Sequence, residues 1–65
     1  MIRLTHRDGR SFVVNAEFVK FVEETPDTVV TLRDNEKLLV KESAGEVVER
    51  VVEYARLIRS IVPGG

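Results

Sequence analysis

The side chains that could carry acid–base or nucleophilic chemistry in this sequence are few and scattered. The chain has one histidine, His6, and no cysteine, so thiolate nucleophiles, disulfides and cysteine metal sites are excluded. His6 lies beside the Asp8-Gly9 pair, which predicts an exposed turn, whereas a general base needs a pocket and an oriented partner. We therefore expect a solvated His6 and no catalytic residue.

Acidic and hydroxyl side chains do not form a site either. Glu23, Glu24 and Asp27 cluster beside one predicted turn, but they lack the spacing of oxygen ligands in a calcium loop. The serines lie in no nucleophile motif, and the sequence has no glycine-rich phosphate loop. We expect no metal, no cofactor and no enzymatic activity.

Length and composition predict one small soluble domain spanning residues 1–65. The hydrophobic fraction is 43%, the charged fraction is 32% and the net charge is -1, which gives no overall attraction for nucleic acid. A chain this short buries only about 60% of its unfolded surface, so it usually needs a further source of stability. With disulfides excluded, we expect a homo-oligomer.

The sequence predicts a cytoplasmic protein. No apolar run approaches the roughly 20 residues of a membrane-spanning helix. Arg3, His6 and Arg7 interrupt the stretch in which a signal peptide would have its apolar core.

Residues 1–41 have the pattern of short strands separated by turns. Asp8-Gly9 predicts a hairpin, because glycine tolerates the positive φ of a tight turn, and Pro26-Asp27 predicts a second turn. A short 3₁₀ segment is expected at 15–18, and the phenylalanines are expected in the core. The predicted strands cover residues 1–5, 11–14, 19–24, 28–32 and 37–41.

Residues 43–62 form the one long segment with helical periodicity. Ser43 and Glu46 make a capping box at its start, and Pro63-Gly64-Gly65 ends it and forms a tail at 63–65. Glu46 and Arg50 are spaced for an ion pair one turn apart. The predicted fold is α+β, a small antiparallel β-meander of about five short strands followed by one C-terminal helix packed on the sheet.

Both the strands and the helix carry more apolar residues than one buried face requires. By strand alternation, three of them point away from their apolar neighbours, and two more widen the apolar arc of the helix beyond the roughly 100° stripe of a surface helix. We expect a second subunit to cover these candidate oligomer contacts. They are Val13, Val30, Leu39, Val48 and Val52.

Several runs of residues resemble one known family over nearly the whole chain. They are Met1-Ile2-Arg3-Leu4-Thr5, Asp8-Gly9, Phe12, Asn15, residues 24–32 (E-T-P-D-T-V-V-T-L), residues 40–43 (V-K-E-S) and residues 47–54 (V-V-E-R-V-V-E-Y). In these runs the sequence resembles the FlbD family of small flagellar proteins, also called swarming motility protein SwrD. Asp34-Asn35-Glu36 departs from the Asn-Gly that such families often have before the last strand.

The resemblance implies a non-enzymatic cytoplasmic accessory protein of bacterial flagellar motility. It would support motor power and swarming by helping the stator units engage, and it would lie at the periphery of the motor. A flagellar motor or stator protein is the implied partner. The family brings no catalytic residues with it.

The alternative function is RNA binding. The opening strands, the length and the single helix look like the CsrA-type regulators of messenger RNA, in which Arg3, Arg7 and Arg10 would contact phosphates. The slightly negative net charge disfavours this alternative. So does K-E-S-A-G-E at the helix start, where that family has a basic segment.

The candidate partner-binding residues are chosen on charge and expected exposure. They lie in the first hairpin, in the acidic turn and on the polar face of the helix. They are Arg7, Arg10, Glu23, Glu24, Asp27 and Arg50.

Overall fold

The computed structural model describes residues 1–61, and Val62 and the predicted tail at 63–65 lie outside the described residues. Five short strands precede one long helix, which confirms the predicted α+β class and its element order. A single 3₁₀ turn, Ala16–Phe18, separates the second and third strands, as expected. The elements are β1 (Ile2–Thr5), β2 (Ser11–Val14), β3 (Val19–Glu24), β4 (Thr28–Leu32), β5 (Lys37–Val40) and α1 (Ala44–Ile61).

The first hairpin joins β1 and β2 through the turn that the sequence predicts. The strands pair antiparallel from Ile2 opposite Val14 to Thr5 opposite Ser11. Gly9 has φ +97°, a conformation that side chains with a Cβ rarely adopt. Asp8 accepts a hydrogen bond of 3.0 Å from the Arg10 backbone N–H, and this bond holds the pKa of Asp8 below its ordinary value.

The other three strands form an antiparallel sheet with β4 in the centre. One end of β5 meets one end of β1, where the Lys41 N–H donates to the Thr5 carbonyl oxygen at 2.9 Å and the Arg7 N–H donates to the Leu39 carbonyl oxygen at 3.2 Å. The spatial order is therefore β2, β1, β5, β4, β3, with β1 and β5 joined only at this end. The Thr25–Pro26 peptide bond before β4 is cis.

The core lies between the sheets and the first half of α1. Val47 is the fully buried side chain of the helix, and Val51 and Tyr54 pack beside it, one and two turns further on. β4 supplies Val30 and Leu32 because alternate residues of a strand point to the same face. The buried apolar side chains are Ile2, Leu4, Ala16, Val30, Leu32, Val40 and Val47.

Val30 is therefore wrongly predicted as an oligomer contact. Its neighbours across the sheet are Val22 on β3 and Leu38 on β5, and all three pack in the core. Val29 takes the outer face instead, opposite Leu39. Both residues are equally apolar, so alternation alone does not say which of them faces the helix.

The expectation that all phenylalanines lie in the core holds only for Phe12, which packs against it. A register shift between Val19 and Phe21 reverses the alternation of β3, so that Val22 joins Val19 on the core side. Phe21 is left 56% exposed on the outer face, and Phe18 is also exposed.

The helix extends past the sheet that it covers. Every described side chain from Ala55 to Ser60 is exposed, including Leu57 and Ile58. The molecule is elongated, with extents of 39 × 21 × 18 Å. The sheet of the same chain thus covers only part of the wide apolar arc of α1.

Truncating one buried and one exposed leucine should distinguish the core from the part of α1 that extends past the sheet. Leu4→Ala empties a fully buried position and should lower the free energy of unfolding by about 2–4 kcal/mol. Leu57→Ala is the matched control on the exposed part of α1 and should change it by less than about 0.5 kcal/mol. Urea unfolding monitored by circular dichroism measures both values, and equal losses for the two variants would contradict this placement of the core.

Candidate functional site

Glu42 connects the start of the helix to the outer edge of β1. Its carboxylate accepts hydrogen bonds from the Thr5 backbone N–H and the Thr5 hydroxyl, each at 2.9 Å. The chain turns away from the sheet after β5, so no strand pairs with this part of the β1 edge. The Glu42 side chain takes the place of a strand there and satisfies a backbone donor that would otherwise lack a partner.

Arg50 completes this contact from the helix side. Its guanidinium lies 3.2 Å from a Glu42 carboxylate oxygen and donates to the Arg3 carbonyl oxygen at 2.8 Å. The sequence predicts a pair between Arg50 and Glu46, but the structure pairs Arg50 with Glu42. Arg50 thus ties α1 to β1 as well as to the segment before the helix.

The Glu42 side chain is only 10% exposed, yet it is held as a carboxylate. Burial raises the pKa of Glu42. Hydrogen bonds to the carboxylate lower the pKa by more, and they come from the Thr5 backbone, the Glu42 backbone, the Thr5 hydroxyl and Arg50. The pKa of Glu42 therefore lies below its ordinary value. The negative charge is part of the folded structure.

The helix start next to this contact is capped as the sequence predicts. The Ser43 N–H donates to Glu46 Oε1 at 3.1 Å, and the Glu46 N–H donates to Ser43 Oγ at 3.2 Å. The Ala44 N–H donates to the Glu24 carboxylate at 2.9 Å. Glu24, a candidate partner-binding residue, therefore already binds the positive end of the helix.

The structure brings two of the predicted patches together. Arg7 of the first hairpin forms an ion pair with Asp27 of the acidic turn, and each side chain is about half exposed. This pair and the start of α1 border a polar groove of about 450 Å³, which we call the junction groove. It is lined by Arg7, Glu24, Asp27, Lys41, Ser43 and Glu46, among others.

The remaining candidate residues lie apart from the junction groove. Arg10 pairs with Asp8 within the hairpin at 2.8 Å, and Arg50 makes the contacts described above. Glu23 is exposed and lies opposite Val29 on the outer face of the sheet.

The four remaining candidate oligomer contacts are all exposed. Val13 and Leu39 lie on the strands, and Val48 and Val52 lie on α1.

His6 is half buried and stacks on Phe12 with the ring centroids 4.0 Å apart.

Another groove, with a volume of about 830 Å³, runs between β1 and α1. Glu42 and Arg50 lie at one end of it, and Tyr54 and Leu57 line it further along the helix. The side chains of Glu42 and Arg50 are bound to other groups of the protein itself. Within residues 1–61, no cluster of three or more acidic or histidine side chains is arranged to hold a metal ion.

Every buried polar side-chain atom of residues 1–61 has a hydrogen-bond partner. The charged groups that sequence reasoning singled out act mainly as structural connections in this part of the chain.

A comparison with family models identifies the chain. The model of FlbD, described as flagellar and swarming motility proteins, matches residues 1–59 of the 65. The chain belongs to this family. The family description assigns it a role in flagellar and swarming motility, and the resemblance stated from the sequence is confirmed. The match covers all five strands and the helix as far as Arg59.

Comparisons with curated proteins and with solved structures gave no match. As far as the described part of the chain extends, its helix is not long and apolar enough to span a membrane.

Glu42 is the structural residue that sequence reasoning missed. It follows β5 directly and precedes the capping serine, a place where a solvated side chain is expected. One signal was available, since Glu42 stands in the V-K-E-S run that carries the family resemblance. The 37 residues that separate it from Thr5 leave no local pattern that would reveal the contact.

Removing the charge of Glu42 should make the stability less dependent on pH. The pKa of Glu42 is lower in the folded than in the unfolded chain, so the carboxylate stabilises the fold at neutral pH. That contribution is lost as the pH falls from the ordinary value of 4.5 through the lower folded value. At pH 7, Glu42→Gln should lower the free energy of unfolding by about 1–3 kcal/mol.

Urea unfolding at pH 7, 5 and 3 measures this effect. The difference between the wild-type protein and Glu42→Gln should shrink toward pH 3. Glu53→Gln, at an exposed helix position, is the matched control and should stay within about 0.5 kcal/mol of the wild type at pH 7. A difference for Glu42→Gln that stays constant from pH 7 to pH 3 would contradict the role of the charge.

Proposed function

We propose that this chain is a non-enzymatic accessory protein of the flagellar motor, which supports motor power by helping the stator units engage. The observation that carries the proposal is the family match over residues 1–59. The proposal places the protein in the cytoplasm at the periphery of the motor. Binding to other proteins, rather than catalysis, would be its means of action.

The side-chain inventory supports a binding role. The described residues hold no group of metal ligands, and the one histidine is stacked on a phenylalanine rather than paired with an acid. By contrast, exposed apolar side chains are numerous for so small a chain. They include Phe21, Leu39, Val48 and Leu57.

RNA binding has no comparable support. That function would rely on Arg3, Arg7 and Arg10 as phosphate contacts. Arg7 is paired with Asp27 and Arg10 is paired with Asp8, so two of the three positive charges are neutralised in the folded protein. A protein that binds nucleic acid through its phosphates needs positive charges that are available to neutralise them.

Deleting the gene tests the proposed function. The deletion strain should assemble filaments in normal number but swarm poorly, because each motor should carry fewer engaged stator units. Torque measured on tethered cells at high load should fall, and fluorescently labelled stators should show fewer units per motor. Normal torque, or a loss of filaments, would contradict the proposal.

The junction groove is our candidate surface for the motor partner. In this proposal the partner contacts both Arg7 and Asp27. The positive charge at position 7 and the negative charge at position 27 must therefore each be in place. The exchange Arg7→Asp with Asp27→Arg retains an ion pair and should retain the fold, but it reverses the charge at both positions. The double variant should therefore be folded by circular dichroism and still fail to restore swarming in the deletion strain.

Lys37→Asp is the matched control for the double exchange. Lys37 is exposed on β5 outside the groove, and its charge reversal should leave swarming intact. Full swarming by a strain that carries the double exchange would remove the junction groove as the partner surface.

A further inference from the structure

One flank of α1 carries a stripe that its own sheet leaves uncovered. Val48, Val52, Ala55 and Arg59 are spaced by four, three and four residues, which is the spacing of a coiled-coil seam. We call these four residues the α1 stripe. The stripe lies about 100° around the helix from the buried Val47.

All four residues of the α1 stripe are exposed. Val48 is 49% exposed and Val52 is 41% exposed, although both are apolar. The helix packs on its sheet through Val47, Val51 and Tyr54 instead. The last two stripe residues lie on the part of α1 that extends past the sheet, so a second helix could approach along the full length of the stripe.

Two opposite charges flank the α1 stripe on the same side. Glu49 follows Val48, and Arg56 follows Ala55 seven residues later. Both are exposed, and neither forms an ion pair within the described residues. In an antiparallel pair of such helices, these flanking positions face each other across the seam.

We propose that two copies of this chain associate through the α1 stripe with their helices antiparallel. Val52 of one copy packs on the partner's Ala55, and Val48 packs on the aliphatic part of the partner's Arg59. Glu49 of each copy then lies beside the partner's Arg56. The contact is self-complementary, as a twofold axis requires, and each ion pair occurs twice.

The distribution of charge along α1 favours this direction over a parallel one. Apart from Arg50, which is paired with Glu42, the acidic residues precede the basic ones; they are Glu46, Glu49 and Glu53, followed by Arg56 and Arg59. A parallel pair would place the acidic halves side by side and the basic halves side by side. The antiparallel pair places each acidic half beside a basic half and also opposes the two helix dipoles.

The size of the contact sets its expected strength. The α1 stripe covers 12 residues, or about 18 Å of helix. One helix pair of this length buries less than the roughly 1,600 Å² of a standard stable interface, so we expect association in the micromolar range. This self-association goes beyond the proposed motor role and involves a different surface from the junction groove.

Exchanging the flanking charges tests the proposal by sedimentation equilibrium across a range of concentrations. Glu49→Arg places two positive charges together in each pair, and Arg56→Glu places two negative charges together. Each single variant should dimerise at least about tenfold more weakly than the wild type. An equimolar mixture of the two variants should associate again, because each then meets the opposite charge, and the double variant should dimerise like the wild type.

Two further variants control for effects on folding. Glu53→Arg makes the same charge change away from the flanking positions and should weaken the dimer much less than Glu49→Arg, whereas Val52→Glu should abolish it. Circular dichroism should show the same helix content for all variants. A wild-type protein that stays monomeric at millimolar concentration, a Glu49→Arg variant that dimerises like the wild type, or a mixture that fails to associate would each overturn the proposal.

Discussion

The fold depends on hydrogen-bond partners for the backbone groups along the edge of β1 that no strand covers. β5 ends just where it meets β1, and the chain turns there to begin the helix. An unpartnered backbone group is costly where it is shielded from water, and Thr5 on this edge is part-buried. The Glu42 carboxylate supplies the acceptor for the Thr5 N–H, and the Arg50 guanidinium supplies the donor for the Arg3 carbonyl. One ion pair thus takes the place of a missing strand and connects α1 to β1.

Local rules predict much of this structure. The Gly9 turn, the Ser43 cap and the strand positions each follow from a few neighbouring residues, and the structure places them as expected. The face of β4 could not be predicted this way, because Val29 and Val30 are equally apolar. The bulge in β3 that exposes Phe21 depends on its pairing with β4, which no short segment encodes.

The candidate site was harder to predict than the fold for the same reason. Arg50 has Glu46 one turn before it, so the local rule selects the wrong partner. The structure engages Glu46 in the cap and leaves Arg50 to Glu42. Arg7 and Asp27, predicted as separate patches, meet because β1 and β5 join at the end where both turns lie. Charge and expected exposure select these segments from the sequence, but they do not reveal the contacts between them.

Membership of a motility family and a surface rich in apolar groups both support the proposal that the protein acts by binding other proteins. The junction groove borders the start of α1 at Ser43 and Glu46, whereas the α1 stripe runs along the helix from Val48 to Arg59. A motor partner in the groove would therefore not compete with a second copy at the stripe. Both surfaces depend on α1 being held in one orientation by Glu42 and Arg50.

Amide hydrogen exchange at Thr5 tests this central contact most directly. The Thr5 amide faces no neighbouring strand, so its protection reports the hydrogen bond to Glu42. Nuclear magnetic resonance should show Thr5 exchanging nearly as slowly as Val30 in the central strand. Exchange at Thr5 as fast as at Asp34, in the exposed turn before β5, would contradict the account.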